Sequence, residues 1–498
     1  MRAMPRPWLF ALAAGLTAAL AVPSVSASDE LPPAVQAALQ QAGVPADALA
    51  AVALPLARWA RPWGHRADVP MQPGSAMKVL TSIVALDRLG PNHRGHTELR
   101  SAAPIEAGVL RGDLVLKGGA DPELGVPQLW ALLLDLRQLG VSTIEGRLVV
   151  DRTLFRPARP DLGLPPFDDA PEFPYNVIPD ALQLAGSLLT LELRAGADGV
   201  HASTVPPLDG IEFTSRMALT DGRCADWDDD WLPPRVTQDG ARTLIELQGA
   251  FPKDCTRRAE LQLIDRQLLA EKLFGTLWRG LGGSWAGRAV EAAAPAATRL
   301  LARRDSRPWG ELLRPMNKAS DNARTRLLYL SLGLAGMADA PQASTTELAG
   351  REVRRWLAEN GIADSGLVLD NGSGLSRSER ITPRQMASML KVAWRGRHAA
   401  ELVMSLPVAG VDGTLRKRLR DSPAAGWARL KTGTLRNVVA LAGYVYDDDG
   451  RAWAVAMMVN HDNADKARPA LDALVDAIAR HGPHGRARPA VGPLDDGP

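Results

Sequence analysis

The sequence of 498 residues predicts an α/β protein of two or three domains. Three observations carry that expectation. An amphipathic helical pattern begins just after Pro73-Gly74. Two Val- and Ala-rich runs near the carboxy terminus form an antiparallel sheet, and a long central stretch alternates short β-type runs with Pro/Gly turns. Hydrophobic residues make up 46% of the chain and charged residues 23%, ordinary values for folded cores.

The chain opens on "MRAMPRPWLFALAAGLTAALAVPSVSASDE". Arg2 and Arg6 precede an apolar run from Trp8 to Val22, and Val25 and Ala27 satisfy the small-residue cleavage rule, so residues 1–27 read as a secretory signal peptide. The run is short for a retained membrane span, and no other segment reaches the ~20 apolar residues a spanning helix needs. Removing the two arginines takes the formal charge of +2 to zero. No basic excess is then left to hold nucleic acid or an anionic lipid surface.

In "QPGSAMKVLTSIVALDRLG", Met77, Leu80, Ile83, Val84 and Leu86 recur at spacings of three and four, and the pattern stops at Gly90. Ser75 falls at the amino end, with Lys78 on the same face and within reach of its hydroxyl. A serine there also suits an ordinary helix cap, and Ser-x-x-Lys alone does not separate cap from nucleophile. The central stretch contains "IEGRLVVDRTLF" and "ARTLIELQGAF" as strands and "DRQLLAEKLFGTLWRGLGG" as a helix. Its loop-rich part holds the chain's two cysteines, Cys224 and Cys255, which in an exported protein most simply form one local disulfide; two buried free thiols are the other option. Two cysteines, scattered histidines and no His-Glu-x-x-His make no dedicated zinc site, so no metal or other cofactor is expected.

Further on, "LLRPMNKASDNARTRLLYLSL" places Ser320-Asp321-Asn322 before a helix containing Leu327, Leu328 and Leu330. By itself this tripeptide is also a good turn and cap. In "GWARLKTGTLRNVVALAGYVYDDDGRAWAVAMMVNH", a strand led by Lys431-Thr432-Gly433-Thr434 precedes two apolar runs split by Asp448-Asp449-Gly450, a hairpin signal. A lysine on a solvated edge strand would explain Lys431 without chemistry. Leu471, Leu474, Val475 and Ile478 mark a closing helix, and the Pro/Gly-rich tail, residues 486–498, is expected to be disordered.

The order of the three motifs removes the ambiguity that each has alone. Ser-x-x-Lys, Ser-x-Asn and Lys-Thr-Gly in that sequence mark penicillin-binding proteins and class A β-lactamases. Here a whole domain's length separates Ser75 from Ser320, whereas β-lactamases keep the first two motifs close. With "PGSAMK", "MNKASDNARTR", "DNGSGLSR" (370–377), "KTGT" and "GDLVLKGGADPEL" (112–124), the chain resembles the class C low-molecular-mass penicillin-binding proteins. These are the D-alanyl-D-alanine carboxypeptidase/endopeptidase family S13 of the DacB type, and the likeness spans nearly the whole mature chain.

The resemblance implies a serine β-lactamase/penicillin-binding fold split in sequence, with residues 28–92 and 295–485 forming the catalytic domain and 93–294 a large β-rich insertion of two small domains. It implies Ser75 as nucleophile, Lys78 as its base, and Ser320 as a bridge between Lys78 and Lys431 that passes a proton to the leaving amine. Asn322 would hold Lys78 and the substrate amide, the N–H groups of Ser75 and Thr434 would form an oxyanion hole, and Thr432 and Thr434, beside Gly433, would receive a terminal carboxylate. From the insertion, Asp169, in preference to Asp168, would meet the amino group of the stem-peptide diamino acid. A turn carboxylate explains both aspartates equally, and a Gly-rich turn does the same for Arg377. The implied substrate is periplasmic peptidoglycan, with β-lactam antibiotics as acylating inhibitors. Rival readings are a serine β-lactamase, an inactive peptidoglycan-binding scaffold, and a Ser-His-Asp hydrolase, for which no Gly-x-Ser-x-Gly elbow is present.

Overall fold

The computed structural model describes residues 30–57, 60–240 and 242–483. The expected signal peptide and carboxy-terminal tail lie outside these residues. No helix among the described residues is long and apolar enough to cross a membrane.

A five-stranded antiparallel sheet organises the part that carries the motifs. Its order is Arg429–Leu435, Val438–Tyr446, Ala452–Asn460, Leu49–Pro55, Trp63–His65, so the first and last thirds of the chain share one sheet. The inner strands read as continuous apolar runs because both faces are covered. Period-two alternation sorts their side chains. Leu49, Ala51 and Ala53 join Val439 and Leu441 in one core with Leu471, Leu474, Val475 and Ile478 of the helix Arg468–His481. Ala50, Val52 and Leu54 join Ala440, Ala442 and Met458 in the other. That second core receives the helices Lys78–Arg88, Trp309–Ala319, Asn322–Leu332, Thr345–Glu359 and Pro383–Arg395. The hairpin turn falls at Asp448-Asp449-Gly450, between the strands ending at Tyr446 and starting at Ala452.

The central part is built around its own core. One five-stranded sheet runs Ala289–Glu291, Leu148–Asp151, Leu114–Gly119, His96–Ser101, Arg299–Asp305. A small four-stranded sheet lies beside it, and a three-stranded and a second four-stranded sheet carry residues 189–261. The helix Arg266–Gly280 starts where Asp265 accepts a hydrogen bond from the Gln267 N–H, a side-chain cap, and buries Leu273, Phe274 and Trp278 against these sheets. Cys224 and Cys255 are joined in a disulfide with a Cα–Cα distance of 5.3 Å. One strand departs from the expected partition. Arg299–Asp305 lies beyond residue 295 yet pairs antiparallel with His96–Ser101, so the chain leaves the inserted sheets near residue 306.

Candidate active site

Four segments distant in sequence meet at the open edge of the five-stranded sheet. Ser75 sits in a tight turn, Gly74–Met77, that leads directly into the helix Lys78–Arg88, and no side chain caps either element. The serine is therefore not spent on backbone, and its hydroxyl lies 3.0 Å from Lys78 Nζ. The edge strand Arg429–Leu435 passes close against this turn. A Cβ on Gly433 would stand 2.2 Å from the Pro73 carbonyl oxygen, so only glycine permits the approach. One on Gly74 would stand 3.1 Å from the Thr434 nitrogen, so the turn that carries Ser75 packs against the edge strand at Thr434.

Lys78 is fully buried, and its nitrogen has three neighbours. It donates to Asn322 Oδ1 at 2.6 Å and to the Ser373 carbonyl at 2.6 Å, with Ser75 Oγ as the third. The orientation of Asn322 is set from the other side, because its Nδ2 donates to the Tyr175 carbonyl at 2.9 Å. A neutral amine has two N–H donors and one lone pair. Two acceptor-only oxygens take the donors, which leaves the lone pair for the Ser75 O–H. Electrostatics favour that state. Burial, then the Lys431 cation, holds Lys78 well below the usual lysine range, outweighing the opposite pull of Asp321 and Glu379.

The Ser-Asp-Asn segment divides its labour. Asp321 is the helix cap, accepting from the Arg324 N–H at 2.9 Å, so the side-chain capping falls on the middle residue and the Ser320 and Asn322 side chains are left for the cleft. Ser320 closes the preceding helix in the left-handed conformation at φ 61°. Its Oγ accepts from Lys431 Nζ at 2.8 Å, and Lys431 also donates to the Thr432 carbonyl at 3.0 Å. Among the described residues Ser320 makes no hydrogen bond to Lys78, so the expected bridge has its Lys431 half in this state. Lys431 is no solvated edge lysine: it is fully buried, and burial pushes its pKa down to about 7.

These groups open on a cleft of about 1020 Å³ between the sheet that carries the motifs and residues 166–175. Ser75, Ser320, Asn322 and Thr434 line one side, with Phe167, Asp168, Asp169 and Tyr175 opposite. Asp168 accepts from the Ala170 N–H and from Asn176 Nδ2, the work of a turn carboxylate, whereas Asp169 is exposed to the cleft. Arg377 lines the same cleft with its guanidinium 4.8 Å over the Phe167 ring, and Arg436 lies at the rim. The Thr432 hydroxyl bonds Thr414 Oγ1 at 2.8 Å, while Thr434 is open to the cleft. The disulfide belongs to the insertion and supplies nothing to the cleft lining. Sequence reasoning missed the carbonyls of Ser373 and Tyr175; a backbone acceptor leaves no side-chain signature, though Ser373 stands inside the "DNGSGLSR" run.

The architecture defines a class, the penicillin-binding fold. The crystal structure of penicillin binding protein 4 (dacB) from Haemophilus influenzae superposes with a TM-score of 0.73 at 23% identity, covering 89% of this chain and 99% of that one. Over residues 31–480 the chain matches the D-Ala-D-Ala carboxypeptidase 3 (S13) family, and it belongs to that family. It is 30% identical over 424 residues to a D-alanyl-D-alanine carboxypeptidase of Actinomadura sp. (strain R39), covering 82% of this chain and 76% of the relative. To the D-alanyl-D-alanine carboxypeptidase DacB of H. influenzae it is 28% identical over 400 residues, 78% of this chain and 80% of the relative. The chain is thus a serine-type carboxypeptidase of the DacB kind.

Proposed function

We propose that the protein is an exported, periplasmic DD-peptidase that cuts D-alanyl-D-alanine termini, or the D-alanyl–diamino acid cross-links, of peptidoglycan through an acyl ester on Ser75. The observation that carries this reading is the environment of Lys78, whose nitrogen has the Asn322 Oδ1 and Ser373 carbonyl oxygens at 2.6 Å and the Ser75 hydroxyl at 3.0 Å.

In the first half-reaction the Lys78 amine takes the Ser75 proton as Oγ attacks the D-alanyl carbonyl carbon. The negative charge that develops on the carbonyl oxygen is received by the N–H groups of Ser75 and Thr434, a reading supported by both residues lining the cleft. Collapse expels the amine, which needs a proton. Ser320, accepting from Lys431, has its own O–H left to donate into the cleft. The proton that Lys78 took from Ser75 replaces, by way of Lys431, the one Ser320 gives to the leaving amine, so Lys78 is neutral again when water adds to the ester in the second half-reaction; Lys78 then takes a proton from the water and returns it to Ser75 Oγ as the ester collapses. The terminal carboxylate of the substrate meets Thr434 and Thr432 near Lys431, and Asp169 pairs with the free amino group of the stem peptide. The β-lactam ring offers the same serine an acylating amide; a crystal structure of the H. influenzae penicillin binding protein 4 is of a complex with a β-lactam.

Digestion of purified monomeric and cross-linked muropeptides, with product masses recorded, tests the reading. Loss of one alanine from pentapeptides, or halving of cross-linked dimers, supports it. Intact substrates in the presence of correctly folded protein overturn it. Asp169→Asn should raise KM for substrates with a free amino group and leave the rate of acylation by a β-lactam lacking one unchanged.

A further inference from the structure

Glu379 is a fully buried carboxylate that the reaction above does not use. Among the described residues it makes no ion pair, and its side chain accepts only from backbone. Oε1 takes the N–H groups of Asp370 at 3.3 Å, Asn371 at 3.0 Å and Gly372 at 2.7 Å, and Oε2 takes that of Gly374 at 2.9 Å. Both oxygens therefore face donors only. A protonated carboxyl would set an O–H against an N–H, so the site is built for the anion. Burial pushes the pKa of Glu379 up, and the N–H groups pull against it.

The segment gathered in this way is the wall of the nucleophile site. Ser373 lends its carbonyl to Lys78 Nζ, and the Gly372 carbonyl accepts from Thr81 Oγ1 at 2.7 Å, one turn further along the same helix. Gly374 presses on the turn that carries the nucleophile: a Cβ there would stand 1.9 Å from the Gly74 carbonyl oxygen, at a φ of +83°. The anchor is itself tied to that turn, because Ile381, two residues beyond Glu379, bridges to Met71, and Gln72 Nε2 donates to the Ser376 carbonyl at 2.6 Å.

We propose that Glu379 is a positioning residue for acylation: its carboxylate holds residues 370–374 in the one arrangement that aims the Ser373 carbonyl at Lys78 and so turns the amine's lone pair onto Ser75. The inference rests on the acyl-serine reading and adds a residue to it. Glu379 also acts through space. The charged groups around it are Asp370 on its own loop and Arg326 beside Tyr329 on the helix Asn322–Leu332, while Lys78 additionally feels Asp321 and Lys431. The Glu379 anion favours the protonated amine of Lys78, so removing that charge makes the amine neutral at lower pH.

The test is Glu379→Gln, in which either amide orientation sets an N–H against a backbone N–H. Acylation by a β-lactam is followed by intact mass across pH, with reversible binding measured separately. The expected result is at least a tenfold fall in the saturating acylation rate, reversible affinity within about threefold of wild type, and an acidic limb moved to lower pH. A saturating rate per titratable Ser75 within threefold of wild type overturns the inference, because a purely structural defect lowers the active fraction and leaves the rate of each active site in place. Should Glu379→Gln fail to fold, Glu379→Asp decides. It keeps the charge but shortens the reach by one methylene, so acylation slows with the limb unmoved, and a wild-type rate overturns the inference. Wild-type protein that forms no Ser75 adduct overturns the acyl-serine reading and this inference with it; a normal wild type with a normal Glu379→Gln overturns this inference alone.

Discussion

Replacing Lys78 by methionine removes the amine while keeping a side chain of similar length. The change is chosen because the site is closed: Lys78 is fully buried, and an alanine there would leave room for a water that could serve as a substitute base. General base catalysis contributes ~10²–10⁴-fold, or about 3–5 kcal/mol of barrier. The upper part of that range applies here, because both amine hydrogens are held at 2.6 Å and the lone pair has one orientation before substrate binds. The assay is the saturating rate of β-lactam adduct formation by intact mass, beside the reversible dissociation constant. The expected outcome is an acylation rate lower by about 10³–10⁴ with affinity little changed. A Lys78→Met protein that is acylated within threefold of wild type would refute the assignment of the base and the electrostatic argument behind it.

The pKa of Lys431, lowered to about 7, has a consequence for stability. The unfolded chain binds this proton up to the ordinary lysine range while the folded chain releases it near 7, so stability rises with pH between those limits. Relative to Lys431→Met, the wild type should gain about 3 kcal/mol in urea unfolding between pH 7 and 9.5, and parallel curves would contradict the burial argument. Gly433→Ala forces a Cβ to within 2.2 Å of the Pro73 carbonyl, so the edge strand must withdraw. Acylation should fall by about two decades and stability by roughly 1–3 kcal/mol, whereas wild-type kinetics would show that the close approach is unnecessary. Reduction of Cys224–Cys255, which closes a separation of 31 residues, should cost about 3–4 kcal/mol of stability in the insertion by the chain-entropy model. The β-lactam acylation rate should stay within twofold, since neither cysteine lines the cleft, and its loss on reduction would contradict that separation.

Side chains with a chemical signature were the legible part. Ser75, Lys78, Ser320, Asn322 and Lys431 lie in three short strings whose order is informative even though each string has an ordinary structural use. Period-three-and-four spacing found the helix Lys78–Arg88, and the apolar runs around Asp449-Gly450 found the hairpin, because in both the burial is local in sequence. Nonlocal pairing was not legible. Arg299–Asp305 shows nothing in its own composition that says its partner is His96–Ser101, some 200 residues earlier, so nothing in the sequence moved the boundary that the resemblance implied, residue 295, on to where the chain leaves the inserted sheets. Backbone chemistry was equally silent. The carbonyls of Ser373 and Tyr175 complete the surroundings of Lys78 and Asn322, yet any residue can supply a carbonyl. Even the division of Ser320-Asp321-Asn322 into one cap and two cleft residues depended on which side chain the helix start consumed.

The central claim is that Ser75 becomes covalently bonded through the action of a neutral Lys78. Proteolytic mapping of the adduct formed with a β-lactam tests it most directly. The account predicts one modified peptide, containing Ser75, in the wild type and no adduct in a folded Ser75→Ala protein; an adduct on any other residue, or one that persists in Ser75→Ala, would contradict it.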